Sequence, residues 1–135
     1  MSNYQLGLYE KSMPGDLTWA EKLQAARNAG FDYVEMSIDE TDAKLARLDM
    51  TDGEIDAVRA AMRATGGPFR SICLSGHRKF PLGCPDRQKQ DRSLEIMQKA
   101  IALVAKLRNA IRWPCYTIKA RTIFSAQPKR STTAI

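Results

Sequence analysis

Three short segments of this 135-residue chain place carboxylates, hydroxyls and cations where they could do chemistry. Glu10 and Lys11 close the stretch Gln5 to Lys11. Glu35, Ser37, Asp39 and Glu40 fall in the stretch Phe31 to Glu40. Ser75, His77 and Arg78 fall in the stretch Ser71 to Lys79. Carboxylates so placed could act as general bases or metal ligands, and Arg, Lys and Ser could grip a phosphate. The combination points to a sugar- or phosphate-handling enzyme. Each residue also has a plainer reading. Glu10, Asp39 and Glu40 read equally well as solvated loop acids. Glu35 lies inside an apolar run, where an unpaired charge is costly, so it is a working group or half of a buried ion pair. His77 is the one histidine, has no acid beside it in sequence, and reads first as an ordinary loop residue. Arg78 and Lys79 read as a phosphate grip or as a solvated basic pair.

The elements that must position these groups alternate along the chain. Gln5 to Glu10 reads as a first strand, broken by Met13-Pro14-Gly15-Asp16. Thr18-Trp19-Ala20-Glu21 has the form of a capping box and opens a helix to about Ala29, with Gly30 at the left-handed C′ position. Phe31 to Ile38 reads as a second strand, apolar enough to be covered on both faces. Asp42 to Leu48 reads as a short helical turn. Thr51-Asp52-Gly53-Glu54 is a second capping box, and its helix should run to Thr65 with Ile55, Val58 and Met62 on one face. Phe69 to Ser75 is a third strand. A helix from about Asp86 should bury Leu94, Met97, Ile101 and Val104 or Ala105. The order β-α-β-α-β-α implies a parallel sheet with right-handed crossovers and strand C-terminal ends that face a site.

Composition narrows the class. The length allows one domain with a core but falls short of the roughly 250 residues of an eight-fold barrel. No stretch of about 18 apolar residues occurs, so no membrane span is expected. Met-Ser-Asn-Tyr-Gln lacks a basic region followed by an apolar one, so no signal peptide is expected. Cys73, Cys84 and Cys115 show no C-x-x-C spacing, which argues against a disulfide framework or zinc site and for a reducing cytoplasm. G-x-G-x-x-G, G-x-x-x-x-G-K-[ST] and H-E-x-x-H are all missing, which removes the usual support for nucleotide folds and zinc proteases. The net charge of +6 is unevenly spread. Residues 106–135 hold seven Lys and Arg and no acid, leaving 21 − 7 = 14 Lys and Arg against 15 acids in residues 1–105.

Three longer motifs, in order along the chain, carry a family resemblance. Leu6-Gly7-Leu8-Tyr9-Glu10-Lys11 followed by Gly30-Phe31-Asp32-Tyr33-Val34-Glu35-Met36-Ser37-Ile38-Asp39-Glu40-Thr41-Asp42 resembles the start of the L-ribulose-5-phosphate 3-epimerase family. Cys73-Leu74-Ser75-Gly76-His77-Arg78-Lys79-Phe80-Pro81-Leu82-Gly83 is similar to its third-strand segment, and Leu94 to Ile101 to its third helix. The resemblance covers about Leu6 to Leu107. It implies the N-terminal part of a xylose-isomerase-like (β/α)8 TIM barrel, about three βα units, in cytoplasmic pentulose catabolism of the L-ascorbate type. The implied reaction removes the proton at C3, beside the C2 ketone, and returns it to the opposite face, with a divalent metal stabilising the enediolate. By the same resemblance, the metal ligands and acid/base glutamates lie on later strands. No catalytic residue and no metal are therefore expected on this chain. Glu10, Glu35, Ser37, His77 and Arg78 carry over as contacts to a small-molecule sugar phosphate.

After Lys106 the α/β pattern fails. Leu107 to Pro114 stands where a fourth strand should come, and Pro114 interrupts it. This divides the chain into a truncated barrel domain, 1–106, and a divergent basic tail, 107–135, that reads as disordered. A frameshift near codon 106 would account for the loss of acids, of pattern and of resemblance at one place. Such a chain is expected to be inactive alone and open to self-association through unpaired sheet edges. The rival reading is a non-enzymatic fragment whose tail binds nucleic acid, with affinity that falls steeply with salt. The tail lacks the Gly- and aromatic-rich pattern of single-strand binders, which argues against it.

Overall fold

The computed structural model describes residues 4–108 and 117–120. Strands β1 (Gly7–Tyr9), β2 (Tyr33–Ile38), β3 (Phe69–Leu74) and β4 (Thr117–Ala120) form one sheet in sequence order, every neighbouring pair parallel. Helices α1 (Trp19–Asn28), α3 (Asp52–Thr65) and α4 (Arg87–Arg108) make the crossovers, with a short α2 (Asp42–Leu45) after β2. Both capping boxes form. The Thr18 and Thr51 hydroxyls accept from the Glu21 and Glu54 amides, and each glutamate reaches back to the cap amide. Gly66 closes α3 at φ +65°, a conformation a side chain resists. Among the described residues no helix is long and apolar enough to cross a membrane.

The two faces of the sheet differ in chemistry. Side chains alternate along a strand, so Leu8, Val34, Met36, Ile38, Ile72 and Leu74 share the face that packs on the helices. Leu23, Ala26, Ile55, Val58, Met62, Ile96, Ala100 and Leu103 supply the other half of that core. Tyr33, Glu35, Ser37, Ser71 and Cys73 share the opposite face, and Tyr33 and Glu35 are only half-buried there. The second strand is therefore not covered equally on both faces, as its composition suggests. An irregularity in pairing between Val34 and Glu35 sets this arrangement. Phe69 pairs with Val34, whereas Ser71 pairs with Glu35, leaving Arg70 as the extra residue. Phe69 thus packs with the core while Ser71 joins the polar face. Gly7 on β1 lies against the Tyr33 ring, where a Cβ would fall 2.3 Å from a ring carbon, so no larger residue fits unless the ring moves.

One expectation from sequence is corrected in part. The buried stripe of α4 is Ser93, Ile96, Ala100, Leu103 and Leu107; of the expected stripe Met97 and Val104 pack partly buried against the core, whereas Leu94 and Ile101 are about half exposed. Both stripes have helical spacing, and only the docking of α4 on the sheet selects between them. A fourth strand, β4, pairs with β3, with Ile72 opposite Ile118. Pro114 lacks the N–H a ladder needs, whereas Thr117-Ile118 is β-branched. The end of α4 and β4 fall within the stretch from residue 107 that the sequence reads as a tail. Its remainder lies outside the described residues.

Candidate functional site

The end of β1 is organised around Glu10. Its carboxylate is 1% exposed and accepts from Lys22 Nζ at 2.8 Å, Lys44 Nζ at 2.9 Å and Arg47 at 2.6 and 2.8 Å. The Ser37 amide donates to it at 2.8 Å, and Arg47 also donates to the Ser37 carbonyl at 2.9 Å. The cluster therefore ties the end of β1 to the end of β2, to the first turns of α1, to α2 and to the turn after it. Burial by itself would raise the Glu10 carboxyl. The donors Arg47 and Lys22 and the Ser37 amide outweigh it and hold the group well below the usual carboxylate range. Burial pushes the Lys44 ammonium down, partly opposed by Glu10 and reinforced by repulsion from Arg47 and Lys22. The Trp19 ring lies under two of these cations, 4.5 Å from the Arg47 guanidinium carbon and 5.4 Å from Lys22 Nζ.

One residue to either side, Tyr9 and Lys11 project to the polar face. The Tyr9 hydroxyl lies 3.3 Å from Ser37 Oγ. Burial pushes its phenol up, opposed by Ser37 and reinforced by Cys73. Lys11 pairs with Asp39 at 2.6 Å, and Asp39 also accepts from the Thr41 amide and hydroxyl at 2.9 and 2.6 Å. Burial raises Asp39, but Lys11 and Thr41 overcome it and bring the carboxyl down to about 2. Glu35 accepts from Ser71 Oγ at 2.8 Å across the β2–β3 pair. The polar face is thus a ladder of hydroxyl, thiol and carboxylate groups on three parallel strands, suited to hydrogen-bonding a polyhydroxy ligand.

The five residues carried over from sequence occupy different places. Glu35 and Ser37 share the polar face. Glu10, expected at the same wall, is sealed behind it with both oxygens engaged. His77 is buried in the turn after β3. Its Nε2 lies 3.2 Å from the Ser93 carbonyl, so that nitrogen donates and the ring is turned toward α4. It lines a small pocket of about 60 Å³ with Leu82, Ser93, Leu94 and Met97. Arg78 is exposed on the same turn. Sequence reasoning missed Lys22, Lys44 and Arg47. A signal existed for Lys22, which sits between Trp19 and Ala26 on the apolar stripe of α1, where a lysine stays only if paired. Lys44 and Arg47 carry no comparable mark.

The divalent metal implied by the resemblance does not fit here. Among the described residues no three His, Cys, Asp or Glu side chains converge to hold a cation. Glu10 and Asp39 are already held by ammonium or guanidinium groups.

These two carboxyls set an acid limit. Each titrates lower folded than unfolded, from ordinary values of 4.5 for Glu10 and 3.8 for Asp39. The folded chain therefore binds fewer protons, and the stability they contribute is complete above about pH 4.5. It is lost as pH falls toward 2. Urea midpoints should be flat from pH 7 to 5 and drop steadily from pH 4.5 to 2.5. An unchanged midpoint across the lower interval would contradict the assigned ion pairs.

Comparison with known proteins adds a second line of evidence. A family model described as a xylose isomerase-like TIM barrel matches residues 23–118. The chain is 50% identical over 107 residues to "Putative L-ribulose-5-phosphate 3-epimerase SgbU" of Escherichia coli (strain K12), covering 79% of this chain and 37% of that protein. It is 42% identical over 107 residues to the protein of the same name in Haemophilus influenzae, with the same coverage. Identity is 51% over 96 residues to "L-ribulose-5-phosphate 3-epimerase UlaE" of Salmonella paratyphi B, covering 71% of this chain and 34% of that one. The chain therefore spans 34–37% of the length of these curated relatives.

Proposed function

The chain belongs to the xylose isomerase-like TIM-barrel family, and on that premise we propose that it forms the substrate-side wall of an L-ribulose-5-phosphate 3-epimerase. The observation that carries this reading is the 50% identity over 107 residues to the Escherichia coli protein named "Putative L-ribulose-5-phosphate 3-epimerase SgbU". The geometry supports it with a polar face in which Tyr9, Glu35, Ser37 and Ser71 offer both donors and acceptors. In the proposed reaction the C2 ketone acidifies the C3 proton, which leaves one face and returns to the other. The groups described here bind and orient the ketose phosphate. Half-buried Glu35 and Tyr9 face its hydroxyls, and fully buried Ser37 holds the Tyr9 hydroxyl from behind them. Arg78, exposed after β3, and the turn held by His77 close that side. Glu10 positions the ends of β1 and β2 and does not touch the substrate. No proton transfer and no metal are assigned to these residues, and the proposed setting is cytoplasmic pentulose catabolism.

The test uses the 135-residue chain and L-ribulose 5-phosphate in D2O. Proton NMR should show saturable binding, with no loss of the C3 proton signal above background. Glu35→Gln should weaken binding roughly tenfold, as expected when about 1.4 kcal/mol of polar contact is lost. The reading fails if no saturable binding is seen, or if Glu35→Gln binds as tightly as the parent.

A further inference from the structure

The cluster at the end of β1 carries more positive charge than it neutralises. Lys22, Lys44 and Arg47 converge on one carboxylate, so four ionised groups sum to 3 − 1 = +2. Among the described residues no second carboxylate pairs with any of the three. The Trp19 ring face offsets part of the charge on Lys22 and Arg47, but Lys44 is held by Glu10 alone. Donors are also in surplus. An ammonium has three N–H groups and a guanidinium five, and Glu10 and the Ser37 carbonyl take only a fraction of them. The cluster is not closed to solvent, because the side chains of Lys44 and Arg47 remain 21% and 12% exposed. It lies at the C-terminal ends of the strands, the face where barrels of this kind gather their ligands.

We propose that Lys44 and Arg47, backed by Lys22, form an anion seat that takes a phosphate dianion. A dianion balances the +2 charge without displacing Glu10, and the tetrahedral oxygens match one guanidinium fork and one mobile ammonium. Exposed Asp42 and half-buried Glu40 pair with none of the three cations. The seat rests on this charge geometry and stands whether or not the chain handles L-ribulose 5-phosphate. Its phosphate could come from a free ion or from the ester end of a sugar phosphate.

The experiment follows Trp19 emission in a Trp113→Phe background as inorganic phosphate replaces chloride at constant ionic strength. A saturable change in the millimolar range is expected, because Trp19 touches two of the cations. Lys44→Met should weaken it at least tenfold, Lys44→Arg should retain it, and Arg63→Met, on the outer turn of α3, should leave it unchanged. The thermal midpoint of each variant shows that it is folded. No saturable change in the parent, or equal affinity in Lys44→Met, overturns the seat. A second titration with ribulose 5-phosphate identifies the source. Tighter binding than inorganic phosphate assigns the seat to a sugar ester, and equal binding assigns it to the free ion. Loss of phosphate binding with intact ketose binding at Glu35 would sink this inference alone.

Discussion

Replacing Glu10 by glutamine is expected to lower the unfolding free energy by about 3–5 kcal/mol, the cost of breaking a buried ion pair by removing one partner. The neutral amide keeps the shape but leaves Lys22, 3% exposed, beside Lys44 and Arg47 with no counter-charge. It also replaces an acceptor oxygen with a donor NH2 facing either an ammonium or a guanidinium. The loss is large against the roughly 5–15 kcal/mol that holds a domain together. Urea unfolding followed by circular dichroism measures it. Glu10→Asp, one methylene shorter, should recover part of the loss by reaching some of the same donors. A cost below about 1 kcal/mol for Glu10→Gln would show that the three cations find water instead, and that the end of β1 is not fixed by this cluster.

The second large effect is at Phe69. Truncation to alanine is expected to cost about 3–5 kcal/mol, in the range measured for buried aromatic residues. Phe69 is 1% exposed, meets the Trp19 ring edge-on at a centroid distance of 5.5 Å, and donates its amide to Met62 Sδ at 3.3 Å. Its loss opens a cavity among β2, α1 and α3 and removes the ring that steadies Trp19 under Arg47. Guanidinium unfolding gives the cost, and Trp19 emission in the native baseline should shift red as water reaches the indole. Ile72→Val, one methyl smaller and fully buried, should cost only about 0.5–1.5 kcal/mol and serves as the reference. A Phe69→Ala cost no larger than that reference would mean the site collapses onto the gap.

Much of the fold was legible in the chain because its signals are local. Thr18 with Glu21 and Thr51 with Glu54 announce two helices, and both form. Gly30 and Gly66 end them at positive φ. The β-branched and aromatic run before Glu40 gives β2, and the alternation of strands and helices gives the parallel order. α4 shows where local signals stop. Two apolar stripes share its sequence, and the choice of Ile96, Ala100 and Leu103 over Leu94 and Ile101 rests on which face meets the sheet. The fourth strand shows the same limit, since four residues after a proline form a strand because β3 offers them an open edge.

The chemistry divides along the same line. Residue types and their order marked strand ends rich in acids and hydroxyls, and the resemblance to a sugar-phosphate epimerase follows from runs of adjacent residues. Only the tertiary structure separated Glu35 and Ser37, on the polar face, from Glu10 beneath it and from His77, turned toward α4. A strand directs alternate residues to opposite faces, so Tyr9 and Glu10 are neighbours in sequence and lie on different sides of the sheet. The partners of Glu10 lie 12, 27, 34 and 37 residues away. No periodicity of 2 or 3.6 residues reaches that far. Burial makes those distant charges meet, because a carboxylate that leaves water must find its cations wherever the fold has put them.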